Sequence, residues 1–102
     1  MYSIIISPPA EIDIREIQDY YDSLVYGLGE KFVLKFSEVL DLLERHPKLY
    51  PIIEDEIRRT IMSGFPYAIF YSIEENRQGL EILAVIHTSR NPEYWQTRIS
   101  LV

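Results

Sequence analysis

The sequence predicts an α+β fold in the order β-α-α-β-β-β, with a small antiparallel sheet and an N-terminal helical hairpin packed on one face. Two observations predict this fold. Apolar residues recur at helical spacing from Pro9 to Arg45, and three β-rich runs joined by short polar connections follow from Glu56 to His87. The length of 102 residues suits one compact domain, so residues 1–102 are assigned to a single domain.

The first strand and the hairpin are predicted from the first 45 residues. Tyr2 to Ile6 is rich in β-branched residues and is predicted to be a strand. Ser7 and the two prolines after it indicate a helix start, because serine caps free amides and proline fits the first turn. Helices are predicted from Pro9 to about Val25 and from about Glu30 to Arg45, each with an apolar stripe. The connection between them is short, which favours an antiparallel pair.

The sheet is predicted mainly from the second half of the chain. His46 to Asp55 is predicted to be a loop, and Glu56 to Met62 a strand. A second strand begins at Pro66 and leads through a polar turn at Glu75–Gly79. The last strand, Leu80 to His87, is apolar on both faces and is therefore predicted to be central. Simple alternation would put one apolar set on one face and the other set opposite: Ile82, Ala84 and Ile86 against Leu83 and Val85. A short helix or turn is predicted from Pro92.

The net charge of −6 is unevenly distributed. Residues 1–56 hold 12 acidic and 5 basic side chains, whereas residues 57–102 hold 4 acidic and 5 basic ones, all five of them arginine. An acidic first half argues against generic coating of nucleic acid, which needs a basic surface. The arginines still allow a local site for phosphate or carboxylate, since guanidinium forms paired hydrogen bonds with both.

Composition also limits the chemistry and the location of the protein. Without cysteine there is no disulfide framework, thiolate metal site or cysteine nucleophile, and two histidines make a zinc site improbable. No metal or cofactor is therefore predicted. The first residues form neither a signal peptide nor a membrane span, so we predict a cytoplasmic protein with no membrane partner.

The order of elements and several motifs together resemble the RelE/ParE superfamily of bacterial toxins. The matching pieces are SPPAEIDIREIQDYY at the first helix, IRR before FPYAIFYSI, and LEILAVIHTSRNPEYWQTR after the turn. The pattern H-x-x-R-x-P-x-x-W after a hydrophobic strand is most similar to the ParE-like, plasmid-stabilisation branch. The resemblance covers essentially the whole chain and supports the predicted fold.

The resemblance implies the toxin of a type II toxin–antitoxin pair, which causes growth arrest unless a cognate antitoxin wraps around it. ParE-like members poison DNA gyrase and RelE-like members cut messenger RNA on the ribosome, and fold alone does not choose between these targets. Gyrase inhibition is the leading prediction, because it needs a binding surface but no catalytic set. The alternatives are a RelE-type, ribosome-dependent mRNA endonuclease and a non-toxic relic that only binds antitoxin. A homodimer and a heterotetramer with antitoxin both fit the resemblance.

The candidate site residues depend on which activity the chain has. If the chain is RelE-like and therefore an enzyme, cleavage would use His87, Arg90, Arg59 and Tyr71 for proton transfer and phosphate stabilisation. Histidine exchanges protons near neutral pH, but a structural role for His87 at the strand end is an equal alternative. Residues predicted to bind a target or the antitoxin share a cationic or aromatic side chain: Arg58, Arg59, Arg90, Trp95 and Arg98.

Overall fold

A computed structural model describes residues 2–100 and confirms the α+β fold with a helical hairpin on one sheet face. The elements in chain order are β1 (Ser3–Ile6), α1 (Pro8–Leu24), α2 (Leu28–Arg45), β2 (Ile52–Glu54), β3 (Ile57–Ile61), β4 (Tyr67–Glu74), β5 (Gly79–His87) and α3 (Pro92–Ser100). A single turn of 3-10 helix at Glu75–Arg77 connects β4 to β5. Within the described range no helix is both long and apolar enough to cross a membrane.

The two helices of the hairpin begin where the sequence predicted within two residues. Ser7 is the N-cap of α1, and its side chain accepts a hydrogen bond from the backbone N–H of Ala10. Helix α2 follows Gly27, whose φ of 83° lies in the left-handed region that favours glycine. Gly29 is buried where α2 crosses α1, and its N–H donates to Asp22 Oδ1 at 2.8 Å. The connection therefore holds the two helices close together.

The sheet is mixed, with the strand order β1-β5-β4-β3-β2. Strands β2 to β5 pair antiparallel with their neighbours, as short turns between consecutive strands require, whereas β1 pairs in parallel with β5. The sequence-based prediction of an antiparallel sheet therefore holds for four strands and not for β1, because the helical hairpin separates β1 from the rest. The predicted central position of β5 agrees with its place between β1 and β4.

Two local predictions are wrong. Residues 46–55 were predicted to be a loop, but Ile52–Glu54 forms the short edge strand β2 beside β3. The alternation predicted for β5 also fails, because a bulge opposite Phe70 and Tyr71 leaves Leu83 without a register partner. Ile82 therefore lies on the hairpin side of the sheet, and Leu83 lies on the other side with Ala84.

Each sheet face carries its own core. The face covered by α1 and α2, called here the hairpin face, buries the larger cluster, which includes Phe32, Phe36, Leu43, Ile69, Tyr71 and Ile82. The opposite face, called here the α3 face, buries Ala68, Phe70, Leu83, Ala84, Ile86 and Ile99 beside Trp95 and Tyr94. Both faces of the central strands are covered, and helix α3 lies next to the end of β5.

Candidate functional site

The end of β5 and the turn after it bring the predicted polar residues together. His87 is the last residue of β5 and stands opposite Tyr67 of β4. The backbone N–H of Arg90 donates to the His87 carbonyl at 3.0 Å, which closes a tight turn. Asn91 Oδ1 then accepts from the N–H of Glu93 at 2.9 Å and caps the start of α3. This geometry explains why His87, Arg90 and the first turn of α3 form one surface.

The imidazole of His87 is held by local hydrogen bonds. Its Nδ1 lies 3.0 Å from the backbone N–H of Ser89 and 2.8 Å from Ser89 Oγ. Because a backbone N–H can only donate, Nδ1 accepts, and the neutral ring carries its proton on Nε2. The ring also meets Tyr67 edge-on, with centroids 5.2 Å apart. In this arrangement Nε2 can donate a hydrogen bond, but neither ring nitrogen is free to accept a proton from a substrate.

A partly buried ion pair ties α3 to α1 and β5. The Arg98 guanidinium donates to Asp13 at 2.8 and 3.2 Å and to Tyr94 Oη at 3.2 Å. Asp13 Oδ2 also accepts from the backbone N–H of Val85 at 3.0 Å. Hydrogen bonding to Asp13 raises the pKa of Arg98, against the opposing effect of burial. Arg98 therefore has a structural partner inside the protein.

Asp13 completes the hydrogen bonding of β5 beyond the end of β1. Strand β1 ends at Ile6, so the outer edge of β5 loses its strand neighbour after Ile82. Ser7 Oγ donates to the Leu83 carbonyl at 3.3 Å, and Asp13 takes the N–H of Val85. This role of Asp13 was not predicted from the sequence. The only sequence signal was an acid in the second turn of α1, which reads equally well as a surface charge.

Two cavities lie beside His87. The first, of about 230 Å³, lies between α1, β5 and α3, and its charged or ionisable lining groups are mixed in sign: Asp13, Glu16, His87, Arg90 and Arg98. The Arg90 guanidinium lies 4.2 Å above the Tyr94 ring centroid on this side, a cation–π arrangement. Because both acidic and basic side chains line the first cavity, it has no single preferred ligand charge.

The second cavity lies on the α3 face and is called here the arginine cavity. It measures about 160 Å³, and Arg59, His87, Arg90 and Trp95 line it over an apolar floor that includes Phe70. Trp95 stacks on Phe70 with ring centroids 5.1 Å apart. No acidic side chain lines this cavity, and within residues 2–100 no carboxylate pairs with either arginine. The cavity thus combines unpaired cations with an aromatic wall.

Two predicted residues lie on the other side of the sheet. Strand alternation places Arg58 opposite Tyr71 on the hairpin face and Arg59 opposite Phe70 on the α3 face. Arg58 Nη1 donates to the Tyr50 carbonyl at 2.5 Å and to the Lys48 carbonyl at 3.4 Å. Tyr71 is fully buried, and its hydroxyl donates to the Pro47 carbonyl at 2.9 Å. The structure therefore brings together His87, Arg90, Arg59 and Trp95, with Arg98 nearby, but not Arg58 or Tyr71.

Replacing Tyr71 with phenylalanine is expected to lower the free energy of unfolding by about 1 kcal/mol, because Pro47 loses its hydrogen-bond donor. Burial raises the pKa of Tyr71 to about 12, against a smaller opposing effect of the Arg58 charge. Since the folded-state pKa lies above the ordinary value of 10.0, the contribution is present below pH 10 and is lost as the pH approaches 12.

Urea unfolding at pH 8 and pH 11 tests this prediction. Burial also raises the pKa of Tyr67, so both proteins should lose stability at high pH. The wild type should lose more than the Tyr71→Phe variant, and equal losses would contradict the assignment of the buried hydroxyl.

The described residues contain no cluster of three or more histidine or acidic side chains placed to hold a metal ion. The groups at the end of β5 are arginines, one imidazole, aromatic rings and, on the side of the first cavity, the carboxylates of Asp13 and Glu16. The arginines can bind a carboxylate or a phosphate, and the neutral imidazole can donate one hydrogen bond from Nε2.

Comparisons with known proteins identify the family. Residues 4–92 match the family model of the ParE toxin of the type II toxin–antitoxin system parDE. The fold is similar to that of a protein of the chromosomal ParDE system of P. aeruginosa, with a TM-score of 0.76 at 18% identity over 87% of this chain and 98% of that one. It is also similar to the isolated E. coli RelE toxin, with a TM-score of 0.67 at 11% identity over 100% of both chains.

A third similar structure is a chain of the archaeal RelE–RelB complex from Pyrococcus horikoshii, with a TM-score of 0.52 at 16% identity over 88% of this chain and 98% of that one. A search of curated proteins gave no match. At these identities the structural likeness supports the fold, and the family rests on the sequence model. The resemblance predicted from the sequence is confirmed: the chain belongs to the ParE toxin family of type II toxin–antitoxin systems.

Proposed function

We propose that this toxin acts by binding DNA gyrase and that a cognate antitoxin holds it inactive by covering the arginine cavity. The observation that carries the proposal is that the described residues lining the arginine cavity include no assembled acid–base pair. His87 Nδ1 already accepts from Ser89, and the hydroxyl of Tyr71 is buried against Pro47. A protein that binds its target through a surface needs no such pair.

Cleavage of RNA makes chemical demands that the site meets only in part. A 2′-hydroxyl must lose a proton, the leaving oxygen must gain one, and cations must stabilise the phosphate. Arg59 and Arg90 could supply the cations, but His87, neutral with Nδ1 accepting from Ser89, can offer only a hydrogen bond from Nε2 and not a proton for the leaving oxygen. Among the described residues that line the arginine cavity, none is left to act as the base. The net charge of −6 also disfavours binding to ribosomal RNA, which is dominated by phosphate contacts.

The arginine cavity suits a side chain of the antitoxin better than a nucleotide. Its volume of about 160 Å³ is below the roughly 300 Å³ at which pockets for small organic ligands begin. Within residues 2–100 neither Arg59 nor Arg90 has a carboxylate partner, so both can receive one, while Trp95 offers an apolar wall. Of the residues predicted to bind a partner, these three support the proposal. Arg58 and Arg98 are already held by internal acceptors.

A ribosome-dependent endonuclease is the second candidate, because His87, Arg90 and Arg59 do line the same cavity. Substrate binding would have to release Nδ1 from Ser89 before His87 could act as a base. A chain that has lost toxicity and only binds antitoxin is the third candidate. A cytoplasmic location and an assembly with the antitoxin follow from each of the three functions.

A reconstituted translation reaction separates the first two candidates. We expect purified toxin to leave ribosome-bound mRNA intact, because no base is placed at the cavity. Cleavage by the wild type that is lost in a His87→Ala/Arg90→Ala variant would favour the endonuclease and contradict the proposal. Induced expression of the toxin without antitoxin should arrest growth, and continued growth would favour the non-toxic relic.

A further inference from the structure

The connection between α1 and α2 exposes three consecutive large apolar residues. Leu24, Val25 and Tyr26, called here the hairpin tip, are 56%, 59% and 101% exposed. Large apolar side chains on an otherwise soluble surface mark interaction sites when they are contiguous, and tyrosine is enriched at the energetic centres of interfaces. The core packing described above uses none of these three side chains.

The hairpin tip is held in one conformation by its own hydrogen bonds. The N–H of Val25 donates to the Tyr21 carbonyl at 3.1 Å, and the N–H of Leu28 donates to the Val25 carbonyl at 3.0 Å. The hydrogen bond from the Gly29 N–H to the Asp22 carboxylate fixes the start of α2 against the end of α1. An ordered surface loses little conformational entropy when a partner binds, so the tip is preorganised for docking.

The charge around the hairpin tip defines the partner. Residues 16–30 contain four acidic side chains and no lysine or arginine. Glu16, Asp19 and Glu30 are exposed, and no base of the described chain pairs with them. A cleft of about 490 Å³ beside Tyr26 is bordered by Asp22 and Glu30. A complementary partner must therefore present apolar side chains surrounded by lysine or arginine.

We propose that the hairpin tip is the surface that docks on the target and that it takes a basic protein surface with an apolar centre. This inference rests on the proposed function, and the partner is then the basic surface with which gyrase contacts DNA. The antitoxin is the less favoured candidate partner for the hairpin tip. An acidic segment that fills the arginine cavity does not complement an acidic tip.

Purified variants test this inference. For each one, inhibition of gyrase supercoiling and affinity for the antitoxin are measured. A Val25→Ser/Tyr26→Ser variant should need at least a tenfold higher toxin concentration for half-maximal inhibition, with antitoxin affinity unchanged. Leu34→Ser is the matched control, because Leu34 is 59% exposed on α2 outside the tip. The control should inhibit as the wild type does, and circular dichroism should show that both variants are folded.

Charge removal gives a second, independent measurement. An Asp19→Asn/Glu30→Gln variant should inhibit gyrase less well at low salt, and the difference should shrink as salt screens the charges. The variant Glu38→Gln/Asp41→Asn removes the same total charge from α2 and should behave as the wild type.

Four outcomes would overturn the inference. A folded tip variant that inhibits gyrase at the wild-type concentration overturns the inference alone. Loss of antitoxin binding with gyrase inhibition intact would assign the tip to the antitoxin, and conversion of a wild-type dimer to a monomer would assign it to a second copy. A wild type with no effect on gyrase overturns both the proposed function and this inference.

Discussion

Replacing Gly29 with alanine is expected to lower the free energy of unfolding by about 3 kcal/mol, the upper end of the cost of overpacking. Alanine ordinarily stabilises a helix relative to glycine, so the expected sign is unusual. A Cβ at position 29 would lie 2.4 Å from the Gln18 carbonyl oxygen and 2.7 Å from the carboxylate of Asp22. The first contact is with backbone, so α1 and α2 would have to move apart.

Urea unfolding followed by circular dichroism measures this effect. Gly79→Ala is the matched control, because a Cβ there would meet nothing closer than 3.8 Å. The control should stay within about 1 kcal/mol of the wild type. A Gly29→Ala protein as stable as the wild type would contradict the close helix contact.

Replacing Asp13 with alanine is expected to cost about 3 kcal/mol, because the change leaves a half-buried guanidinium without its partner. The side chains of Asp13 and Arg98 are 12% and 23% exposed, so water compensates only in part. The backbone N–H of Val85 also loses its acceptor. Arg98→Ala should cost less, about 2 kcal/mol, because the remaining carboxylate still accepts from Val85.

A double-mutant cycle isolates the ion pair. If Asp13 and Arg98 act together, the double variant should be more stable than the sum of the single losses predicts, by roughly 1–2 kcal/mol. Glu16→Ala, an exposed acid on the same helix, should change stability by less than about 0.5 kcal/mol. Additive losses from the two single variants would show that α3 is held to α1 by other contacts.

The helices and the long strands were predictable because their signals are local. Ser7 and the prolines fix the start of α1, and the apolar stripes identify both hairpin helices. Strand β2 was missed because three residues are too few to show alternation. The face pattern of β5 failed because a bulge at Leu83 shifts the register by one residue, and nothing in the local sequence marks it.

The candidate site was predictable only along one stretch of chain. His87, Arg90 and Trp95 follow each other at the exit from β5, so their meeting follows from a tight turn into α3. Strand alternation correctly predicted that Arg58 and Arg59 lie on opposite faces of the sheet, but it did not predict which face carries the cavity. The partners of Asp13 and Tyr71 lie 85 and 24 residues away, and no sequence pattern pairs residues over such separations.

The two proposals together assign the antitoxin and the target to two surfaces of opposite charge. The arginine cavity on the α3 face offers cations, and the hairpin tip offers carboxylates around apolar side chains. The antitoxin would then bind the arginine cavity, and the target would bind the hairpin tip. The antitoxin would then block gyrase binding by steric hindrance or by displacing the toxin from gyrase, and it would not compete with gyrase for the hairpin tip itself.

The most direct test of gyrase binding is the accumulation of gyrase-linked DNA breaks with purified toxin. Plasmid DNA, gyrase and ATP are incubated with increasing toxin, with and without antitoxin, and cleaved DNA is counted after protein removal. If the toxin binds gyrase, breaks should accumulate with toxin, antitoxin should prevent them, and the His87→Ala/Arg90→Ala variant should still form them. If a toxin that arrests growth in cells leaves the plasmid intact and normally supercoiled at every concentration, that result would contradict gyrase binding.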